Sequence, residues 1–238
     1  MLDGSAFVNG SGARLYQHSP RSVALVCMGP SVVDYIADTF TQTLTPAFAD
    51  EVWAINMAAN GISHDVCFWL DDIAEENAIR PGLFDLMRKR GKPVITATPY
   101  PDIVPTSWPY PVQEVVELGW AAFGKPYLNN GVAMAVAYAL WKGVKKLKIY
   151  GADFTYPNRG YAETGRACIE AWVTLAICRG MRVNIAPTSS LFDATGGKGI
   201  YGYRAQPELV IGGERMKYLP AKAAKPLYVP EDTSGVVQ

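Results

Sequence analysis

Short runs of consecutive apolar residues alternate along this chain with segments that have the apolar period of a helix. An apolar run of five to seven residues without polar alternation predicts a strand buried on both faces, as in a parallel sheet. Helical segments between such strands predict right-handed crossovers. We therefore expect an α/β, Rossmann-like fold, with a mostly parallel sheet and helices on both faces. The predicted strands cover residues 22–28, 51–56, 66–70, 93–98, 146–150 and 181–186.

Helix signals between the runs support this order. Ser31 can cap a helix after the first run. A helix is expected from about residue 73 to residue 90, with acidic residues in its first turn, basic residues in its last turn and a break at Pro81-Gly82. Further helices are expected over 132–142 and 162–178, with a polar loop over 151–160 and an extended, proline-rich loop over 99–111.

The distribution of this pattern predicts one folded domain with two irregular ends. Residues 1–20 have no period and are expected to form an irregular arm. Residues 21–205 are expected to form a single Rossmann-like domain that binds a nucleotide or donor, with a flexible glycine-rich loop near its end. Residues 206–238 are expected to form an extended tail, since the final stretch is rich in Pro, Ala and Lys.

Composition narrows the class of protein. Of the 238 residues, 49% are hydrophobic and 18% charged, which is typical of a globular chain. The formal net charge is zero, whereas duplex-binding proteins usually carry a basic excess, so a nucleic-acid partner is not expected. The sequence contains no apolar stretch of about 20 residues, no signal-peptide pattern and no CxxC pair, which predicts a cytoplasmic protein without a membrane span.

Polar and aromatic residues follow several of the predicted strands at the point where each strand ends. In an open parallel sheet, ligands bind at the carboxyl ends of the strands, so we expect these residues to converge on one pocket. Amides and backbone N–H groups suit ribose, phosphate and the edges of bases. The predicted nucleotide- or donor-binding residues are Gly29, Pro30, Ser31, Asn56, Asn130, Gly131, Phe154, Tyr156 and Tyr161.

The turn Gly29-Pro30-Ser31 joins the first predicted strand to the first predicted helix. The N–H groups and dipole of a helix N-terminus favour an anion, and a glycine lets a phosphate approach the backbone closely. The alternative is an ordinary strand-to-helix turn with a serine cap. The turn is not a P-loop, because the chain contains no GxxxxGK[ST] sequence.

Other polar groups also leave two interpretations open. Asp71 and Asp72 could hold a divalent metal such as Mg²⁺ beside a pyrophosphate, or could cap the next helix. One asparagine of Asn129-Asn130 must cap its helix, which leaves the other for a ligand. Asp153 is the loop acid best placed to face a ligand.

The two histidines do not suggest a catalytic centre. His18 belongs to the predicted arm, and His64 precedes its strand and so is expected at the opposite edge of the sheet. Neither a Ser–His pair nor a histidine-ligated metal is therefore expected at the predicted pocket.

Taken in order, six short motifs resemble those of the bacterial lipooligosaccharide sialyltransferases and of the related MptE-like proteins. The latter include 6-hydroxymethylpterin pyrophosphokinases and the Maf flagellin glycosylation factors. The resemblance spans roughly residues 22–193. The motifs are Gly29-Pro30-Ser31, Ala54-Ile55-Asn56, residues 130–134 (NGVAM, similar to SGVYM), residues 148–154 (KIYGADF, similar to IYLSGIDF), Tyr161-Ala162 and residues 186–191 (APTSSL, similar to CPNSLL).

The resemblance implies a Rossmann-like domain that binds CMP-sialic acid in one branch and ATP in the other. Two departures stand out. The sialyltransferases carry a histidine base after the tyrosine loop, whereas no histidine follows His64 here. Thr155 also stands where their tyrosine follows the DF pair, and Tyr156 comes one place later. A catalytic base would then have to be Asp153, Glu163 or a metal-bound water.

The leading hypothesis is a transferase that uses a nucleotide-activated donor, most like a sialyltransferase-type glycosyltransferase. In it the turn at residues 29–31 and Tyr161 hold the donor phosphate, Asn56 and Asn130 hold ribose or base, and Asp153 or Glu163 deprotonates an unidentified acceptor. The alternatives are an Mg²⁺-dependent ATP pyrophosphokinase of the MptE-like type and a non-catalytic nucleotide-binding protein. The size and the predicted tail would suit a phage version of the family.

Overall fold

The protein is described by a computed structural model that covers residues 15–41, 48–193, 208–211 and 214–217. The predicted glycine-rich loop over 195–199 and residues 1–14 of the predicted arm lie outside the described residues.

A seven-stranded, all-parallel sheet forms the centre of the molecule, in the order β5-β4-β3-β2-β1-β6-β7. The predicted α/β, Rossmann-like fold class is therefore confirmed. The strands are β1 (Ser22–Val26), β2 (Glu51–Ile55), β3 (Val66–Phe68), β4 (Val94–Thr96), β5 (Ser107–Pro109), β6 (Lys146–Tyr150) and β7 (Arg182–Ile185).

Helices connect these strands and cover both faces of the sheet. They are α1 (Val32–Thr41), α2 (Ala58–Gly61), α3 (Ile73–Ile79), α4 (Leu83–Arg90), α5 (Val112–Phe123), α6 (Gly131–Trp141) and α7 (Arg159–Cys178). The chain moves from β1 towards β5 in one direction and from β6 to β7 in the other. Right-handed crossovers therefore place α1–α4 on one face and α5–α7 on the opposite face.

Both faces of the sheet are buried, as alternate residues of β1 show. Val23 and Leu25 belong to the core shared with α5, α6 and α7, whereas Ala24 and Val26 belong to the core under α1. All four are fully buried, as expected for a central parallel strand with period-two side chains. The continuous apolar run in the sequence is the direct consequence of this double burial.

Several predicted elements are confirmed and others differ. The six predicted strands all form, and the helix predicted over 73–90 breaks at Pro81-Gly82 into α3 and α4. The segment predicted as a proline-rich loop contains a strand, β5. This strand can form because Ser107–Pro109 pairs with β4 at the edge of the sheet, where proline is tolerated. α7 begins at Arg159, three residues before the predicted start, because the Asn158 side chain accepts a hydrogen bond from the Tyr161 N–H.

Within the predicted tail, two short strands pair antiparallel: β8 (Glu208–Ile211) and β9 (Glu214–Lys217). Across the described ranges, no helix combines the length and apolar character needed to cross a membrane.

Gly119 is a buried glycine inside α5 at a point of close packing. A Cβ at this position would lie 2.5 Å from the Pro126 carbonyl oxygen and 3.1 Å from the Trp172 ring. Replacing an interior helical glycine by alanine normally stabilises a helix by about 1 kcal/mol. We predict that Gly119→Ala lowers stability instead, by roughly 1–3 kcal/mol, because the added methyl overpacks this contact.

Urea denaturation would measure the effect, with Gly160→Ala in α7 as the matched control. At Gly160 the nearest atom to an added Cβ is 3.6 Å away. That substitution is expected to be neutral or stabilising, and a similar gain in both variants would contradict the packing at Gly119.

Candidate functional site

A cavity of about 440 Å³ lies at the carboxyl ends of the strands, where β1 and β6 are neighbours. The helices that follow these two strands, α1 and α7, lie on opposite faces, so the chain diverges here and leaves a crevice. Ligands of open α/β sheets bind at such a switch point. The cavity is lined by Cys27, Met28, Gly29, Pro30, Ile55, Asn56, Met57, Trp69, Asp71, Glu76, Arg80, Val132, Gly151, Ala152, Asp153, Phe154, Thr155 and Tyr156.

Two glycines allow the ends of β1 and β6 to meet at the floor of this cavity. The Gly29 N–H donates to the Gly151 carbonyl at 2.7 Å. A Cβ at Gly29 would lie 2.5 Å from that oxygen, and a Cβ at Gly151 would lie 2.2 Å from the Cys27 carbonyl oxygen. Gly151 also has a φ of +67°, in the left-handed region that favours glycine. No larger residue fits either position without moving the strand ends apart.

Asp153 locks this junction with both carboxylate oxygens. Oδ2 accepts from the Ser31 N–H at 2.6 Å, and Oδ1 accepts from the Ser190 N–H at 3.1 Å. The Ser31 hydroxyl oxygen in turn accepts from the Gly151 N–H at 2.9 Å. Both side chains are buried. The Asp153 carboxylate therefore supplies the negative charge that the start of α1 favours.

These contacts bear directly on the predicted phosphate turn. Within residues 29–31, the Gly29 and Ser31 N–H groups already have partners and Pro30 has no N–H. The Ser31 side chain bonds to Gly151 instead of acting as the expected helix cap. Gly29 and Pro30 line the cavity, but the backbone of the turn offers a phosphate no unpartnered donor. The ordinary strand-to-helix turn, with Asp153 as its anion, accounts for these contacts.

Asn56 and Asp71 form a hydrogen-bonded pair on the cavity wall. The Asn56 Nδ2 donates to Asp71 Oδ2 at 2.9 Å, and the Asn56 N–H continues the ladder by donating to the Phe68 carbonyl. Asn56 has a φ of 48°, a conformation that asparagine tolerates better than most residues. Within the described chain, Asp71 Oδ1 accepts no hydrogen bond, so this carboxylate keeps an oxygen for a ligand.

The neighbouring Asp72 serves the helix and does not line the cavity. Its Oδ1 caps α3 by accepting from the Ala74 and Glu75 N–H groups, and the Tyr100 hydroxyl donates to it. The hydrogen bond from the Glu75 N–H is the main reason that the pKa of Asp72 lies below its usual value. The helix-cap alternative thus describes Asp72. Among the residues that the structure describes, no group of three or more His, Cys, Asp or Glu side chains is arranged to hold a metal.

Asn130 is likewise committed to the protein. Its Oδ1 accepts from the Ala133 N–H at 2.9 Å and so caps α6, while its Nδ2 donates to Asn129 Oδ1 at 2.7 Å and to the Gly165 carbonyl at 3.2 Å. Neither Asn130 nor Gly131 lines the cavity, although Val132 does. Both side-chain amide atoms of Asn130 already have protein partners, so neither is left free for the predicted contact with ribose or base.

Three aromatic rings continue the wall from the β6 end towards α7. Phe154 packs edge-on against Tyr156 at 6.0 Å, and Tyr156 packs edge-on against Tyr161 at 5.3 Å between ring centroids. Gly165 permits this arrangement, because a Cβ there would lie 2.5 Å from the Phe154 ring. Phe154 and Tyr156 line the cavity, whereas Tyr161 is 59% exposed behind Tyr156. Burial is the main reason that the pKa of Tyr156 is raised, so its hydroxyl is a donor at neutral pH.

The second predicted base lies apart from the cavity, and two charged residues there were not predicted. Glu163 is exposed on α7 and is not among the lining residues. Glu76 of α3 and Arg80, the residue directly after that helix, do line the cavity, and their charged groups are 3.5 Å apart. The sequence signal from which this pair could have been predicted is the spacing of four residues between an acid and an arginine in the helical segment that follows β3. The charged lining side chains are thus one arginine and three acids, Asp153 included.

Comparisons with known proteins find a similarity among solved structures and none in sequence. No family model matches the chain, and no curated protein matches it. Among solved structures, the chain is similar to the sialyltransferase CstII from Campylobacter jejuni, determined in complex with the substrate analogue CMP-3FNeuAc. The identity is 15%, the TM-score is 0.46, and the match covers 71% of this chain and 82% of that one. The function proposed below therefore rests on the cavity and its residues.

The Asp153 junction yields a stability prediction. We predict that Asp153→Asn lowers the free energy of unfolding by roughly 1–3 kcal/mol, because an amide has one acceptor oxygen for two backbone N–H groups and loses the charge at α1. Equilibrium unfolding at neutral pH would measure this loss. Asp102→Asn, which removes an exposed carboxylate, is the control and is expected to change little. Equal stability of both variants would contradict the structural role of Asp153.

Proposed function

We propose that the cavity at the β1–β6 junction binds a nucleotide-activated donor and that the protein is a transferase of the glycosyltransferase kind. The observation that carries this proposal is the position of a 440 Å³ cavity at the topological switch point, with polar and aromatic walls on opposite sides of it. This volume lies within the range of about 300–1,000 Å³ that is usual for small-molecule sites.

The two walls suit different parts of such a donor. The Asn56–Asp71 pair presents a carboxylate oxygen that can accept from the hydroxyl groups of a sugar or ribose. Phe154 and Tyr156 offer ring surface for a planar or apolar group. Tyr156 belongs to the lining. Its hydroxyl can donate to a phosphate oxygen, and Tyr161 supports its ring from behind. Arg80 is the cation available to the developing charge of the leaving phosphate.

Asp71 is the side chain that we assign as general base. In the transfer, the acceptor hydroxyl oxygen forms a bond to the donor carbon, the bond from that carbon to the phosphate oxygen breaks, and Asp71 takes the hydroxyl proton. Asp153 is less suited, since both of its oxygens accept backbone N–H groups. Glu163 lies outside the cavity lining. The Asn56 amide orients Asp71 through its 2.9 Å hydrogen bond.

A second candidate is Mg²⁺-dependent transfer of a pyrophosphoryl group from ATP. The excess of acids over cations in the lining favours it, because a polyphosphate next to Asp71 and Glu76 needs a divalent cation to offset the repulsion. These two carboxylates would hold a metal that arrives with the nucleotide, in the manner usual for Mg²⁺. A nucleotide-binding protein without turnover is the third candidate.

Thermal denaturation with CMP, UMP, GDP, ATP and their sugar conjugates, each with and without Mg²⁺, tests the proposal. We expect at least one nucleotide sugar to stabilise the protein without Mg²⁺, by about 2.7 kcal/mol at 100 times its dissociation constant. Tyr156→Phe should weaken the binding of that nucleotide sugar by roughly 0.5–3 kcal/mol, depending on whether the Tyr156 hydroxyl donates to a neutral or a charged group of the ligand. Stabilisation by ATP with Mg²⁺ alone would favour the pyrophosphokinase, and stabilisation by no nucleotide would reject the donor site.

The role of Asp71 is testable once a donor is known. We predict that Asp71→Asn lowers the rate of donor turnover by about 10²–10⁴-fold while the melting temperature stays close to that of the wild type. Glu163→Gln is the matched control, because it neutralises the other accessible candidate base. Loss of turnover in Glu163→Gln with normal turnover in Asp71→Asn would transfer the role of base to Glu163.

A further inference from the structure

A second pocket, of about 270 Å³, lies at the opposite edge of the sheet from the donor cavity. His64 comes just before β3, and Arg90 and Lys92 come just before β4, so these residues gather at the amino ends of the two strands. The pocket is lined by Ala59, Asn60, Gly61, Ile62, Ser63, His64, Arg90 and Lys92. We name it the basic pocket.

The charges of the basic pocket are of one sign. Its lining contains two permanent cations and no carboxylate, whereas the donor cavity contains three acids and one arginine. Neither Arg90 nor Lys92 has an ion-pair partner among the described residues. By contrast, Arg88 in the same helix pairs with Asp85, and Arg80 pairs with Glu76. In the described chain, therefore, neither cation of this pocket has a carboxylate within ion-pair distance.

Local structure explains how the two cations come together. Gly91 ends α4 with a φ of +60°, and its N–H donates to the Met87 carbonyl. This left-handed turn reverses the chain between Arg90 and Lys92, and both residues line the pocket. The Arg90 Nη1 donates to the Ala59 carbonyl, which holds the guanidinium beside α2. An arginine has five N–H donors, so most of them remain for a ligand.

His64 adds a third nitrogen group to the basic pocket. It is 7% exposed, and its Nδ1 lies 3.1 Å from the Ile62 carbonyl oxygen. Because Nδ1 donates to that carbonyl, Nε2 of the neutral ring is an acceptor, which suits the O–H of a protonated phosphate. Burial is the main reason that the pKa of His64 is lowered, and the positive charges of Arg90 and Lys92 lower it further, whereas the hydrogen bond to Ile62 and the charge of Asp65 act in the opposite sense.

We propose that the basic pocket is a binding site for a phosphate-class anion, held by Arg90 and Lys92 with His64 beside them. Guanidinium and ammonium groups without counter-ions form charge-assisted hydrogen bonds to phosphate oxygens. The ligand is either free phosphate or the phosphate group of a small organic monoester. This site lies at the other edge of the sheet from the proposed donor cavity, and it stands whether or not that cavity binds a donor.

Calorimetric titration at low ionic strength tests this site, with inorganic phosphate in one arm and glycerol 1-phosphate in the other. Lys92→Ala is the informative variant, because Lys92 is exposed and its loss should leave the fold intact. We expect it to weaken binding by about tenfold, as for the loss of one hydrogen bond to a charged group. Lys89→Ala removes an equal charge from α4 outside the pocket and should change the affinity less than about twofold.

Arg80→Ala distinguishes the basic pocket from the donor cavity. Phosphate binding that survives Arg80→Ala but falls in Lys92→Ala would support the basic pocket, whichever probe binds more tightly. Tighter binding of glycerol 1-phosphate would identify a monoester as the ligand, and tighter binding of phosphate would identify the free anion. Equal loss in Lys92→Ala and Lys89→Ala, loss only in Arg80→Ala, or no measurable binding of either probe would overturn the inference.

Discussion

The close approach of β1 and β6 at their carboxyl ends is the constraint on which the rest of this site depends. Backbone meets backbone there because Gly29 and Gly151 carry no side chain. Asp153 then joins the start of α1 to the segment after β7 by accepting the Ser31 and Ser190 N–H groups. The cavity owes its floor to this junction, since a wider separation would displace the loops that carry its two walls. The contacts that join β1 to β6 in the fold are therefore also the contacts that shape the cavity.

The apolar pattern predicts the sheet well, because burial on both faces leaves a continuous signal in β1, β2 and β6. It misses β5, whose three residues pair at an edge inside a proline-rich segment.

For the site, the sequence identifies Asn56, Asp71 and Phe154, which all line the cavity. It cannot tell whether an amide such as that of Asn130 faces a ligand or a helix end, because both uses need the same residue. Nor can it show which way the helical pair Glu76 and Arg80 points, since that depends on packing.

The distribution of charge also has an order that net composition conceals. A formal net charge of zero coexists with three acids and one arginine in the lining of the cavity at the β1–β6 junction and with two cations and no carboxylate in the lining of the basic pocket. Local potential, rather than overall charge, decides what small ions approach each edge. The two pockets therefore differ in the sign of the charge that dominates their linings, although helices of the same face contribute to both.

The pairing of Ser22 with Lys146 and of Val26 with Tyr150 has a consequence for the way the chain is made. During synthesis on a ribosome, β1 emerges early, and β2 can cover only one of its edges. Its other edge has no native partner until the segment that ends near residue 150 has been translated. Unpaired, apolar strand edges are sites of misassembly, and pairing across so long a separation slows folding. The newborn chain therefore passes through a stage in which one edge of β1 has no native partner.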